Sequence, residues 1–152
     1  MKQRYKNLVL AAVFLVGTLC VTFMISQPVY ATDCNDQTFG KGNASTCVKY
    51  IQRILNGWTS FGKVLGGGAG ASCPPYIYSS NGGYISDDGI FGNITKDKVQ
   101  RFQDSWCLDV DGTVGPNTWR GLCEVSFQMN SYSYKTSYMK TAIAAADASG
   151  CW

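Results

Sequence analysis

Apolar residues return at helical spacing in three places along the chain. Val48, Ile51, Ile54 and Leu55 are interleaved with Lys49, Gln52, Arg53 and Asn56, which predicts a first helix. Ser45 or Thr46 supplies its N-terminal cap, and Gly57 suits its end. Val99, Phe102 and Trp106 form the stripe of a second helix, with Thr95 as its N-cap and Asp97 in its first turn. Pro116 suits the start of a short third helix that carries Trp119 and Leu122. Elsewhere the pattern changes. Residues 32–44 are polar and Gly-rich and read as a lead-in loop. The stretch from Gly57 to Gly83 contains the run Gly66 to Gly70, Pro74-Pro75 and Asn81-Gly82, with little side chain to bury. Tyr76, Tyr78 and Tyr84 fall at even spacing and predict a strand or hairpin around 76–86. Beyond Glu124, the residues Val125, Phe127 and Met129 alternate with polar ones, and Tyr132 and Tyr134 continue the alternation. That predicts a further strand or β-hairpin, followed by one or two Ala-rich helical turns near 140–148.

One phrase is written twice. Residues 85–95 and residues 108–118 share the pattern apolar-x-x-Asp-Gly-x-apolar-Gly-x-x-Thr. The first copy contributes Asp88, Gly89, Phe91, Gly92 and Thr95; the second contributes Asp111, Gly112, Val114, Gly115, Pro116 and Thr118. The glycines permit positive φ or close backbone approach, and the aspartates accept bonds from nearby amides in an Asx-type turn. Phe91 and Val114 point inward. Thr95 and Thr118 stand at helix starts, where a hydroxyl satisfies free amides. Gln52 and Gln103 are read first as partners for the loop backbone. The Asp-x-Asp-Gly string superficially resembles the start of a calcium loop, but the twelfth-position glutamate is missing, so turn chemistry is the reading adopted.

Charge and cysteine change the picture at the N-terminus. Lys2, Arg4 and Lys6 precede an uncharged apolar run from Leu8 to Ile25, and the run ends before Val29-Tyr30-Ala31. This predicts a secretory signal peptide, residues 1–31, cleaved near Ala31; the alternative is a retained membrane anchor. Taking those three residues from the 13 basic ones leaves ten against ten acidic residues, so the net charge of +3 does not speak for a nucleic-acid partner. Cys34, Cys47, Cys73, Cys107, Cys123 and Cys151 remain after cleavage, an even count that predicts disulfides in a short secreted chain. Cys34 and Cys123 are expected to lie near each other.

The chain has no histidine. That removes Ser-His-Asp and Cys-His catalysis and His-ligated zinc. The glycine run lacks the Gly-Lys-Ser/Thr ending of a phosphate loop. No cofactor or metal is implied, and a pair of acid–base carboxylates is the one enzymatic reading left.

The ordered set Val48 to Asn56, Asp88-Gly89-Ile90-Phe91-Gly92-x-x-Thr95, Val99 to Gln103, and Val110 to Trp119 resembles the peptidoglycan-binding-like domain. The resemblance covers about residues 45–123. It implies a mainly α fold, a small three-helix module that holds cell-wall hydrolases on peptidoglycan in a bacterial setting. Here the module would carry a long inserted loop (about 57–86) and a C-terminal extension, 124–152. The chain departs from the family in the length of that insertion and in Asn93, where the family often has Pro. The function expected is a secreted or cell-wall-associated, non-catalytic protein that binds the glycan or peptide stem. The alternative is a disulfide-stabilised scaffold whose insertion and tail contact another secreted protein. Candidate ligand-binding residues are Tyr50, Arg53, Arg101, Gln103, Asn117, Arg120, Tyr76 and Tyr78. The arginines suit peptide-stem carboxylates, and exposed tyrosines suit sugar rings.

Overall fold

The computed structural model describes residues 33–65 and 83–152. The expected signal segment, Cys73, Tyr76, Tyr78 and most of the predicted 76–86 hairpin lie outside the described residues. The described residues hold four helices: α1 (Thr46–Val64), α2 (Asn93–Ser105), α3 (Pro116–Ser131) and α4 (Ser137–Ala148). None of them is long and apolar enough to cross a membrane. The mainly α expectation therefore holds, with one helix more than the three predicted.

Helix α1 starts as expected. The Ser45 hydroxyl accepts the Val48 amide at 3.2 Å, which satisfies one of the free donors of the first turn. The helix does not stop at Gly57; it continues to Val64. Gly57 is fully inside the helix and faces α4. A Cβ there would collide with the Ala142 methyl and sit 3.1 Å from Met129 Sδ. The glycine that looked like a terminator is the point where two helix backbones approach closely. A mid-helix glycine costs roughly 0.5–1 kcal/mol relative to alanine, and the packing of α4 against α1 offsets that cost.

The tail is a correction. The alternation from Val125 to Tyr134 is not a β-hairpin: α3 runs straight through it to Ser131. Leu122, Val125, Ser126 and Met129 are buried, while Phe127 is 59% exposed. A strand would have placed Val125, Phe127 and Met129 on one face. The helix keeps Val125 and Met129, four apart, on its buried side and turns Phe127 to solvent. The Ala-rich stretch becomes the full helix α4, capped by Thr136, whose hydroxyl accepts the Met139 amide at 3.2 Å. Met139, Ala142, Ala145 and Ala146 are its buried face.

α4 packs most extensively on α1 and also meets α3, and α1 meets α2 and α3. Val48, Ile51, Ile54, Leu55, Trp58, Phe102, Trp119, Leu122 and Met139 lie in the common core. Trp58, placed on the insertion by its position after Gly57, is a buried residue of α1 that meets Phe102 edge-to-face at 5.3 Å.

Disulfides brace the ends. Cys34 is bonded to Cys47 and Cys123 to Cys151, and Cys107 is disulfide-bonded as well. Each such bond typically contributes about 2–4 kcal/mol by restricting the unfolded chain. Cys34 and Cys123 do not bond each other, yet both reach the same short segment. The Cys34 amide donates to the Ser149 carbonyl at 3.1 Å, two residues before the Cys151 that holds Cys123. Asn35 Nδ2 adds a 2.6 Å bond to the Gly150 carbonyl.

Candidate functional site

The two written copies of the Asp-Gly phrase fold into two copies of one corner. In the first, the Gln52 amide nitrogen donates to Asp88 Oδ1 (2.9 Å), the Ile90 carbonyl (3.0 Å) and Thr95 Oγ1 (3.1 Å). Its carbonyl oxygen accepts the Gly89 amide at 2.8 Å. In the second, Gln103 donates to Asp111 Oδ1 (2.8 Å), the Thr113 carbonyl (2.8 Å) and Thr118 Oγ1 (3.1 Å), and accepts the Gly112 amide at 2.8 Å. Both glutamines are 1% exposed, so each amide closes its corner from inside. A buried amide is retained where its donor and acceptor capacity is used.

The remaining parts fit the sequence reading closely. Asp88 Oδ1 accepts the Ile90 amide at 2.9 Å and Asp111 Oδ1 accepts the Thr113 amide at 2.7 Å, the Asx turns expected. These bonds, the Ile90 amide first and the Gln52 side chain next, hold the Asp88 carboxyl below its ordinary 3.8. Gly89 (φ +80°) and Gly112 (φ +75°) occupy the left-handed region. Phe91 and Val114 are buried plugs. One expectation fails: Thr95 and Thr118 are not N-caps. The caps are Gly92 and Gly115, with no side-chain cap bond. The threonines sit one turn further on, and their hydroxyls receive the glutamine and donate back to Ile90 and Thr113.

The lead-in segment is a strap across both corners. Phe39 pairs with Val114 in an antiparallel bridge, its amide donating at 3.0 Å and its carbonyl accepting at 2.7 Å. Ala44 bridges to Ile90. The Phe91 amide donates to the Asn43 carbonyl at 2.8 Å, and the Ser45 amide to the Gly89 carbonyl at 3.0 Å. Phe39 packs edge-to-face on Trp119, whose indole donates to the Gln37 carbonyl at 3.1 Å. The sequence reading missed this. The available signal was Phe39, a large apolar residue in an otherwise polar loop.

Of the candidate ligand-binding residues that are described, Gln103 and Asn117 line one cleft and Arg53 lines another. Gln103 is committed to its corner. Asn117, exposed, lines a shallow cleft beside the second corner with Thr38, Asp109 and Pro116. Arg101 pairs with Asp97 on the open face of α2 at 3.0 Å. Arg120 is exposed on α3. Tyr50 is partly buried against the core. Arg53 lies elsewhere, half-buried and bonded through Nε to Asp87 Oδ2 at 2.7 Å. That contact is the first reason the Asp87 carboxyl titrates below its ordinary 3.8; burial opposes it, and Lys49 adds a smaller pull downward. One further titrating group is inside: Lys98, 3% exposed, donates to the Gly83 carbonyl at 3.1 Å. Burial, then the charges of Arg101 and Lys63, bring its pKa down to about 8.

No solved structure matches the chain. Over residues 77–122, from the approach to the first corner through α2 and the second corner into α3, the sequence matches the family model described as "Putative peptidoglycan binding domain".

Proposed function

We propose that this chain is a secreted, non-catalytic peptidoglycan-binding protein. The observation that supports it most is the coincidence of the family match with the duplicated corner. The matched residues contain both Asp-Gly loops, α2 and Gln103, and Gln52 closes the first loop from α1 in the same way. In this reading residues 45–123 are the wall-binding domain, and the extension 124–152 buttresses it through α4.

The chemistry is that of a binder. The chain lacks histidine, and the two corner aspartates, Asp88 and Asp111, spend their carboxylates on backbone amides and glutamine side chains. The Asp88 carboxyl, held below its ordinary value by the Ile90 amide and the Gln52 side chain, is a poor general acid near neutral pH. The exposed Arg120 is suited to the free carboxylates of peptide stems, whereas Arg101 already pairs with Asp97. Secretion is supported by the apolar leader read in residues 1–31 and by the disulfides, which persist in an oxidising compartment, and wall association by the family match.

The test is sedimentation with purified insoluble cell wall. The protein is expected in the pellet at low and moderate salt, with no release of soluble wall fragments. Protein left wholly in the supernatant at low salt overturns the reading; steady release of reducing ends or stem peptides overturns its non-catalytic part.

A further inference from the structure

We propose that the cleft between α1, residues 85–87 and the first turn of α4 is a sugar subsite that takes one N-acetylated amino-sugar residue of a glycan strand. It rests on the wall-binding reading and gives it a place and a ligand class. The cleft has a volume of about 310 Å³, at the lower end of the roughly 300–1,000 Å³ usual for small-ligand sites. It adjoins the first corner through Ile85 and Asp87, and its α4 wall falls outside residues 77–122.

Three features of its lining select the ligand. The first is an aromatic wall. Tyr138 lines the cleft and is 41% exposed. It stacks on Tyr84 with centroids 3.9 Å apart and planes 9° from parallel, and Lys63 Nζ caps the Tyr84 ring at 4.3 Å. The stack occupies one face of Tyr138, and the side chain stays partly exposed where it lines the cleft. A pyranose presents a face of C–H bonds, which complements the negative face of an aromatic ring.

The second is the Arg53–Asp87 pair. Both side chains are partly exposed, 32% and 46%, and both line the cleft. One Nε–Oδ2 contact consumes few of the guanidinium N–H donors and carboxylate lone pairs. The pair therefore offers a donor beside an acceptor with no net charge. An acetamido group is the complement, its carbonyl accepting from Arg53 and its N–H donating to Asp87. A free carboxylate is a poorer match, because the arginine already has its counter-ion.

The third is a rim of hydroxyls, Ser137 and Thr141 on α4, suited to sugar hydroxyls. The floor is rigid: Asn56 donates to the Ile85 carbonyl at 2.8 Å and accepts the Ile85 amide at 2.8 Å. This holds the 85–87 segment against α1, so little ordering is needed on binding.

The experiment titrates the disulfide-intact protein with chitotetraose, follows backbone amides by NMR, and runs wall sedimentation in parallel. Amides of residues 85–87 and 137–141 are expected to shift. Tyr138→Ala and Asp87→Asn are expected to weaken chitotetraose binding by about tenfold, roughly one stacked ring or one charge-assisted bond. Tyr138→Phe is expected to bind within about twofold of the parent, since the ring face is kept. Circular dichroism melts confirm that the variants fold. If the parent binds wall and the two disruptive variants bind it equally well, the subsite is wrong and the wall reading stands. If the parent stays in the supernatant, both fall. If a stem peptide with a free C-terminal carboxylate shifts these amides and chitotetraose does not, the sugar assignment is overturned.

Discussion

The two corners are the same object reached by different routes. Gln103 closes the second corner from eight residues upstream of Asp111, so glutamine, loop and helix start lie in one short stretch of chain. Gln52 closes the first from 36 residues upstream of Asp88, across the whole segment between α1 and α2. The bond lengths nonetheless agree to about 0.2 Å, position by position. The geometry of the corner is therefore set by the loop's own residues and by one buried amide, whichever helix delivers it. What differs is when the corner can close. The second needs only local chain, whereas the first needs α1 to be docked, because loop-closure entropy must be met before the contacts form.

The largest expected effect comes from removing the amides. Gln52→Ala and Gln103→Ala each strand a buried glycine N–H and leave a loop carbonyl and a threonine without the amide. Each should cost roughly 2–3 kcal/mol in urea unfolding, since leaving a buried group unsatisfied costs about 1–3 kcal/mol. Amide exchange should separate them. Gln52→Ala exposes Gly89 and leaves Gly112 protected; Gln103→Ala does the reverse. If either substitution opened both corners equally, the strap at residues 39–44 would be coupling them, and they would not be independent units.

A smaller effect distinguishes the corners by their surroundings. Gly89 and Gly112 have nearly the same positive φ, so alanine carries a similar backbone penalty of about 1–2 kcal/mol at each. A Cβ at Gly89 would meet the Ser45 backbone carbonyl at 3.0 Å, whereas one at Gly112 would meet the Lys96 side chain at 2.7 Å. Lysine methylenes move easily and the backbone at the start of α1 does not. Gly89→Ala should therefore lower the melting temperature more than Gly112→Ala, and the opposite order would show that the start of α1 is the softer element.

The smallest effect is in acid, at the first corner. Asp88 and the neighbouring Asp87 have folded-state pKa values below 3.8. The unfolded chain thus binds their protons more readily. Their stabilisation is complete above the ordinary carboxylate value and is lost as pH falls through the folded values. Below about pH 3.8, Gly89 and Ile90 should lose exchange protection. Carboxyl ¹³C titration should give midpoints below the ordinary value; midpoints at or above it would mean that Arg53 and the Ile90 amide do not hold these charges.

Much of this was legible in the residues. Most local interactions were legible from pattern: the Ser45 cap, the two Asx turns, the inward Phe91 and Val114, and the apolar stripes of α1 and α2; the caps of α2 and α3 were not, falling to Gly92 and Gly115 and not to the threonines. Gln52 and Gln103 were legible as loop partners because each occupies the same place in its helix motif. The other failures share one cause. Gly57 and the Val125-x-Phe127-x-Met129 alternation were ambiguous locally, and the ambiguity was resolved by what packs against them. Phe39 and the strap, and the meeting of Tyr84, Tyr138, Arg53 and Asp87, involve residues far apart in sequence, which short-range periodicity does not register.

By itself, then, the sequence determined the helical class, the paired corners, the cysteine bracing and the absence of histidine chemistry, because each is written in neighbouring residues or in composition. Tertiary structure decided that α1 passes through its glycine, that the tail becomes α3's second half and α4, and that a tyrosine from that tail lines one cleft with an ion pair between α1 and the first corner. Burial made those choices: a glycine inside a helix and an alternating apolar run are stable only when another surface covers them, and α4 is that surface.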